Sequence, residues 1–373
     1  MEDLSIGNIP LMGVDKAIKT LSLMYGNVIN GGVSLSLMPS LMLWGQPGVG
    51  KSQAVRELAA ELEDLTHKKV YVTDVRLLLF NPVDLRGIPT ANADKTLAIW
   101  LKPKVFDMKD SSDCINILLL DEISAAPQSV QAAAYQITLD KMVGEHKLPS
   151  NCIVIAAGNR LTDKSVVYQM PKALANRLLH FEIEANYESW NRWAISKGIH
   201  RYVLGFLKFK PHYLNNFNPK SMDLTFATPR SWEMVSNILN NVSENIDQVY
   251  DLISGLIGKG LAVEFRTWIK LFSKLPNIED IFNGKDVPAP KEMDVTYALI
   301  SSIISYAKIN KDNLDLIENS INFAEKLAPD FSLVLLKDYM YIEKNYLEKL
   351  LTIPSYAKWA RTKGRLLDAA NGI

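Results

Sequence analysis

Apolar residues recur at helical spacing from about residue 10 to 28, where Val14, Ala17, Ile18, Leu21, Met24, Tyr25 and Val28 form one stripe. Gly31 and Gly32 end that pattern. Short apolar runs then follow at Leu41–Trp44, Val70–Val72, Ile117–Leu120, Cys152–Ala156 and Leu178–Ile183, with helix-prone segments between them. Strands alternating with helices predict an α/β domain whose parallel sheet is covered by helices on both faces. After about residue 187 the strand signals stop. Trp232, Val235, Ile238, Leu239 and Val242 make a helical stripe, and further helical patterns surround Leu299, Ile303 and Ile304, then Leu333, Leu335 and Leu336. The stretch LPNIEDIFNGKDVPAP at 275–290 reads as a linker. The expected division is therefore an α/β domain over 1–186, a helical segment over 187–275 and a further helical region over 276–373.

The first apolar run leads directly into the glycine-rich loop Gly45, Gln46, Pro47, Gly48, Val49, Gly50, Lys51 and Ser52, which enters the helix-prone QAVRELAAEL. Strand, glycine turn and helix are the setting in which backbone N–H groups and a helix N-terminus cradle phosphates. Lys51 is expected on the β- and γ-phosphates, and the Ser52 hydroxyl on Mg²⁺. A second run, Ile117–Leu120, ends in Asp121 and Glu122. Both carboxylates then fall at the C-terminal edge of the sheet, where open α/β sheets bind ligands. Asp121 would hold Mg²⁺, and Glu122 would orient and deprotonate a water. A third run ends in Gly158 and Asn159. On a neighbouring strand Asn159 reaches a γ-phosphate or the attacking water, although an Asn after a Gly also reads as a turn.

Other features narrow the chemistry. Lys plus Arg equals Asp plus Glu at 41 each, so the net charge is zero, against bulk nucleic-acid binding. No run of eighteen apolar residues predicts a membrane span, and MEDLSIGNIP lacks the apolar core of a leader. The two cysteines, Cys114 and Cys152, lie in apolar runs, as buried thiols of a reduced cytoplasmic protein would. Asn310–Asn313 departs from the guanine-reading Asn-Lys-x-Asp pattern, which favours ATP over GTP. The five histidines show no metal-ligand spacing.

Taken in order, these segments resemble the AAA+ ATPases, and within them the MoxR-like family, over about residues 10–245. The glycine loop matches the family's Walker A, Asp121–Glu122 its Walker B, and Asn159 its sensor 1. In MPKALANRLLHFEIE, Arg177 matches the arginine finger; in ATPRSWEMV, Arg230 matches sensor 2 at the start of the lid. NPVDLRGIP resembles the opening of an inserted hairpin, here about 81–104, and DKMVGEHKLPSN a second one at 140–151. The chain departs from the family's DEINRAP pattern at Ser124 and Ala125. The resemblance implies a P-loop AAA+ fold with 1–186 as its nucleotide-binding domain and 187–275 as its helical lid, Mg²⁺-dependent ATP hydrolysis in a homo-oligomeric, hexameric ring, and remodelling of a protein client. It also implies a separate von Willebrand A-type partner. On charge and chemistry alone, Arg177 pairs either with a surface carboxylate or with a neighbouring subunit's γ-phosphate. Arg230, a cation at a helix start, needs an anion, either a carboxylate or a nucleotide phosphate. A nucleic-acid motor on the same architecture remains the alternative, with a non-catalytic nucleotide switch behind it.

Overall fold

The computed structural model describes residues 8–163 and 170–361, in two compact units. The first seven residues of the segment read for a leader, and 362–373 of the expected C-terminal region, lie outside the described residues.

The first unit holds the chain up to Asn186, together with Phe217–Met222. Its elements in order are β1 (Leu11–Gly13), α1 (Val14–Asn30), β2 (Leu41–Trp44), α2 (Lys51–Thr66), β3 (Lys69–Arg76), α3 (Pro82–Arg86), β4 (Ile88–Ala91), β5 (Ala98–Leu101), β6 (Cys114–Asp121), α4 (Gln128–Asp140), β7 (Met142–Val143), β8 (His146–Lys147), β9 (Cys152–Gly158), α5 (Lys172–Ala175) and β10 (Leu179–Glu184). Six strands form one parallel sheet in the order β1-β10-β2-β9-β6-β3. This is the P-loop AAA+ α/β fold expected from the sequence.

Alternation along each strand splits the interior into two cores. Leu41, Leu43, Ile117, Leu119, Ile153 and Ile155 face one way, onto Leu21 and Tyr25 of α1 and Leu58 and Leu62 of α2. Met42, Leu118, Leu120, Val154 and Ala156 face the other, onto Val130, Ala134 and Ile137 of α4. Burial on both faces is why these runs are continuous apolar stretches. The three residues of β1 are too few to show a period, and the sequence pattern merges them with α1.

The second unit holds Tyr187–Asn216 and the chain from Asp223 onward, and among its described residues all regular structure is helical. It comprises α6 (Tyr187–Lys197), α7 (Arg201–Phe209), α8 (Pro229–Asn241), α9 (Ile246–Ile257), α10 (Lys259–Ile269), α11 (Ile278–Phe282), α12 (Met293–Ile309), α13 (Leu314–Ala324), α14 (Pro329–Tyr339) and α15 (Tyr346–Thr352). Phe206, Trp232, Phe265 and Trp268 cluster at its centre. Helix α12 packs on α7, and the buried ammonium of Lys208 pairs with Asp338 of α14, which also accepts from the Asn191 amide at 3.0 Å. Segments 187–275 and 276–361 thus share one core. The stretch read as a linker contains α11, whose Ile281 and Phe282 are buried, with the Phe282 ring 4.5 Å from that of Tyr306. Its prolines and glycine bracket a single anchored turn. Among the described residues no helix is long and apolar enough to cross a membrane.

Candidate active site

The glycine loop joins β2 to α2 at the C-terminal edge of the sheet. A Cβ at Gly45 would lie 2.5 Å from the Ile183 carbonyl oxygen of β10, so only glycine lets the chain leave β2 there. Gly50, at φ 103°, caps α2 in a left-handed conformation and leaves the first N–H groups of the helix aimed outward. Lys51 is buried, and its ammonium donates to the carbonyls of Gly45 at 2.8 Å and Gln46 at 2.9 Å and to Asn159 Oδ1 at 3.0 Å. Ser52 Oγ donates to Asp121 Oδ2 at 2.6 Å. The expected phosphate-binding lysine and Mg²⁺ ligands therefore converge with the amide-tipped strand, because β9 lies between β2 and β6 in the sheet.

Asp121 ends β6, and its Oδ1 accepts from the Glu122 N–H at 2.8 Å. Glu122 then turns the chain with φ 58°, a left-handed conformation uncommon outside glycine and often found at functional positions. Its carboxylate is exposed beside the half-buried Asp121. One carboxylate and one hydroxyl suit a Mg²⁺ ion completed by phosphate oxygens and water. Among the described residues no three His, Cys, Asp or Glu side chains gather as a metal cage.

Three features of this edge escaped the sequence reading. Arg160, next to Asn159, is buried with Asp163 and Glu182; it reaches Asp163 at 2.7 Å and Glu182 at 2.6 Å. Only alternation within β10 could have flagged Glu182 as an inward-facing charge. Trp44, the last residue before the loop, donates its indole N–H to His180 Nδ1 at 2.9 Å, while His180 Nε2 donates to the Ala175 carbonyl at 2.7 Å. Indole is a donor only, so this geometry requires the neutral Nε2–H tautomer. The third feature is a link between the two hairpins. β4 pairs with β5 and β7 with β8, and His146 of the second donates to the Trp100 carbonyl of the first at 2.7 Å.

Arg177 lies exposed between α5 and β10, two residues past the Ala175 carbonyl that binds His180. Arg230 is the second residue of α8, exposed, behind a Thr228–Ser231 capping box in the second unit. Among the described residues neither guanidinium has a carboxylate within salt-bridge distance. Cys114 and Cys152 are both free and buried, and burial pushes the Cys152 thiol up to about 12.

The model of the ATPase family associated with various cellular activities (AAA) matches residues 40–180, less than half of the chain. That segment contains the glycine loop, Asp121, Glu122, Asn159 and Arg177, and the match supports an ATPase of the AAA+ type at the level of the family. No curated protein matches the chain. Several solved structures are similar at low identity. A candidate ATPase from Cytophaga hutchinsonii is 15% identical, over 87% of this chain and 92% of its own, with a TM-score of 0.31. A RuvB variant from Thermotoga maritima is 13% identical over 78% and 82%, at 0.36. The ORC2 protein of Aeropyrum pernix, in ADPNP–ADP complexes, is 12% identical over 75% of each chain, also at 0.36. TM-scores this low bear on no functional conclusion.

Proposed function

We propose that this protein is a Mg²⁺-dependent ATP hydrolase of the MoxR-like AAA+ type, working as a homo-oligomeric, hexameric ring in the cytoplasm and remodelling a protein client. The observation that carries the reading is the meeting of Lys51, Ser52, Asp121 and Asn159 within hydrogen-bond distance at one sheet edge. Lys51 and the loop N–H groups bind the β- and γ-phosphates. Ser52 and Asp121 hold Mg²⁺, which when bound neutralises charge on those phosphates. Glu122 takes a proton from the water as its oxygen bonds to the γ-phosphorus and the bond to the bridging β,γ-oxygen breaks, releasing ADP and phosphate. Asn159 orients that water or the γ-phosphate. Arg177 of one subunit stabilises the charge developing at the site of the next, and Arg230 contacts phosphate from the lid.

A protein client is supported by the first hairpin, which exposes Ile88, Leu97, Ile99 and Leu101. Apolar surface of this kind suits a protein partner better than a phosphate backbone. A von Willebrand A-type protein is the partner suggested by the MoxR-like resemblance. The reading is tested by ATPase rates: Glu122→Gln should bind ATP and hydrolyse it at least about a hundredfold more slowly. A rate equal to that of the unaltered protein would overturn it.

A further inference from the structure

The backbone ladder between β6 and β9 ends at the pair Leu120–Ala156. Past it the chain turns at Glu122, and the Ile123 N–H donates to the Ala157 carbonyl at 3.0 Å. The next rung is made by a side chain: Ser124 Oγ accepts the Asn159 N–H at 2.8 Å. Ser124 is buried, and a Cβ at Gly158 would lie 2.8 Å from its Oγ, so the hydroxyl sits hard against the strand. Its own backbone is held from α4, where Gln131 Nε2 donates to the carbonyls of Ser124 at 3.2 Å and Ala126 at 3.1 Å. Ser124 is also where the chain departs from the DEINRAP pattern.

We infer that Ser124 is a positioning residue that sets Asn159 against Lys51 and couples it to the Glu122 turn. The inference rests on the assignment of Asn159 to the hydrolytic site. Deprived of that acceptor, the part-buried Asn159 N–H must turn toward another acceptor or water. Rotating its peptide would swing Oδ1 away from the Lys51 ammonium. The phosphate cradle is built from the loop itself and stays in place. Loss of the hydroxyl therefore falls on turnover and spares nucleotide binding.

The test is a double-mutant cycle in the full-length protein, reading steady-state ATPase rates and, separately, fluorescent ADP affinity. Ser124→Ala should lower kcat about tenfold while ADP affinity stays within about twofold. Ser124→Cys leaves no cavity and offers a poor acceptor, so a loss shared with Ser124→Ala belongs to the hydrogen bond rather than to a cavity. Ser124→Ala combined with Asn159→Ala should be no slower than Asn159→Ala alone. An unaltered kcat in both Ser124 variants, or multiplying effects in the double variant, overturns the inference. If Asn159→Ala alone keeps full activity, the assignment of Asn159 fails and takes the inference with it; that arm tells the two failures apart.

Discussion

The Lys51 ammonium donates to the Asn159 amide oxygen at 3.0 Å. The contact follows from register: Trp44 of β2 is paired with Gly158 of β9, so the residues beyond each strand emerge side by side at the same edge. A neutral amide there can share the lysine with a phosphate. Asn159→Asp would replace it with a carboxylate that holds the lysine and repels a γ-phosphate. ATP affinity should then fall further in Asn159→Asp than in Asn159→Ala, by about tenfold, and ADP affinity less so. Fluorescent-nucleotide titrations of both variants check this; equal ATP affinities would count against it.

Beneath this contact lies a buried ionic triad. Arg160 serves both Asp163 and Glu182, which are essentially without solvent. Removing only the cation leaves two buried carboxylates without the guanidinium they share. Arg160→Met should cost about 3–5 kcal/mol of stability. Replacing all three charges by apolar residues of similar size should cost less than the single change, because the desolvation penalty goes with them. Urea unfolding of the two variants decides the order. A single variant as stable as the native chain would mean that the triad carries no net stabilisation.

Arg177 is exposed in the turn between α5 and β10. If it acts on a neighbour, ATPase activity per subunit should rise with protein concentration as subunits assemble. Mixing inactive Arg177→Ala with inactive Lys51→Ala should restore part of the rate, since some interfaces combine an intact arginine with an intact glycine loop. A rate independent of concentration, with no rescue on mixing, would show that the arginine is not shared.

Much of this was legible in the sequence because the same residues serve structure and chemistry. Apolar runs such as Ile117–Leu120 mark strands buried on both faces, and the residues directly after them fall at the ligand edge. What was not legible depends on strand order. Nothing in the sequence places β9 between β2 and β6, so the bond from Asn159 to Lys51 and the rung made by Ser124 appear only in three dimensions. Glu182 reads as one charge among 41 acidic residues until its strand is flanked on both sides. The turn α11 was hidden for a different reason: five residues cannot display a helical period, and Pro and Gly on either side dominate the local pattern.

The second unit carries a pH dependence of its own. His200 Nδ1 accepts the Tyr202 N–H at 3.2 Å, and Nε2 donates to Glu244 at 3.1 Å, so both ring nitrogens are satisfied in the neutral form. Burial holds its pKa below the ordinary imidazole value; Glu244 pulls it upward, and Arg201 adds to the lowering. With the folded value below the unfolded one, the unfolded chain binds the extra proton. Stability is then full above about pH 6.5 and declines as pH falls from there through the folded value. His200→Asn keeps a helix-capping acceptor without a titration and should flatten that decline. Urea midpoints at pH 7.5, 6.5 and 5.5 test it, and an equal decline in both proteins would assign it to other groups.

The hairpins separate a protein remodeller from a nucleic-acid motor. Part of their cationic chemistry is already engaged, while Arg86, Lys95, Lys104 and Lys147 stay exposed. The Lys141 ammonium donates to the Met38 carbonyl at 2.9 Å, and burial lowers its pKa; His146 is bound to Trp100, and Lys102 is paired with Asp107 at 2.9 Å. What the first hairpin leaves exposed includes Ile88, Leu97, Ile99 and Leu101. A phosphate-binding surface needs free cations, and each neutralised phosphate steepens the salt dependence of binding. The ATP-bound Glu122→Gln protein should therefore bind neither single- nor double-stranded oligonucleotides at physiological salt, and nucleic acid should not raise the ATPase rate of the unaltered protein. Replacing Leu97, Ile99 and Leu101 by Ser should leave basal ATPase within about twofold, since surface changes away from the site cost little stability. Fluorescence anisotropy at two salt concentrations reads the first expectation. Sub-micromolar, salt-sensitive binding that disappears in Lys102→Ala/Lys104→Ala would assign the hairpins to nucleic acid instead.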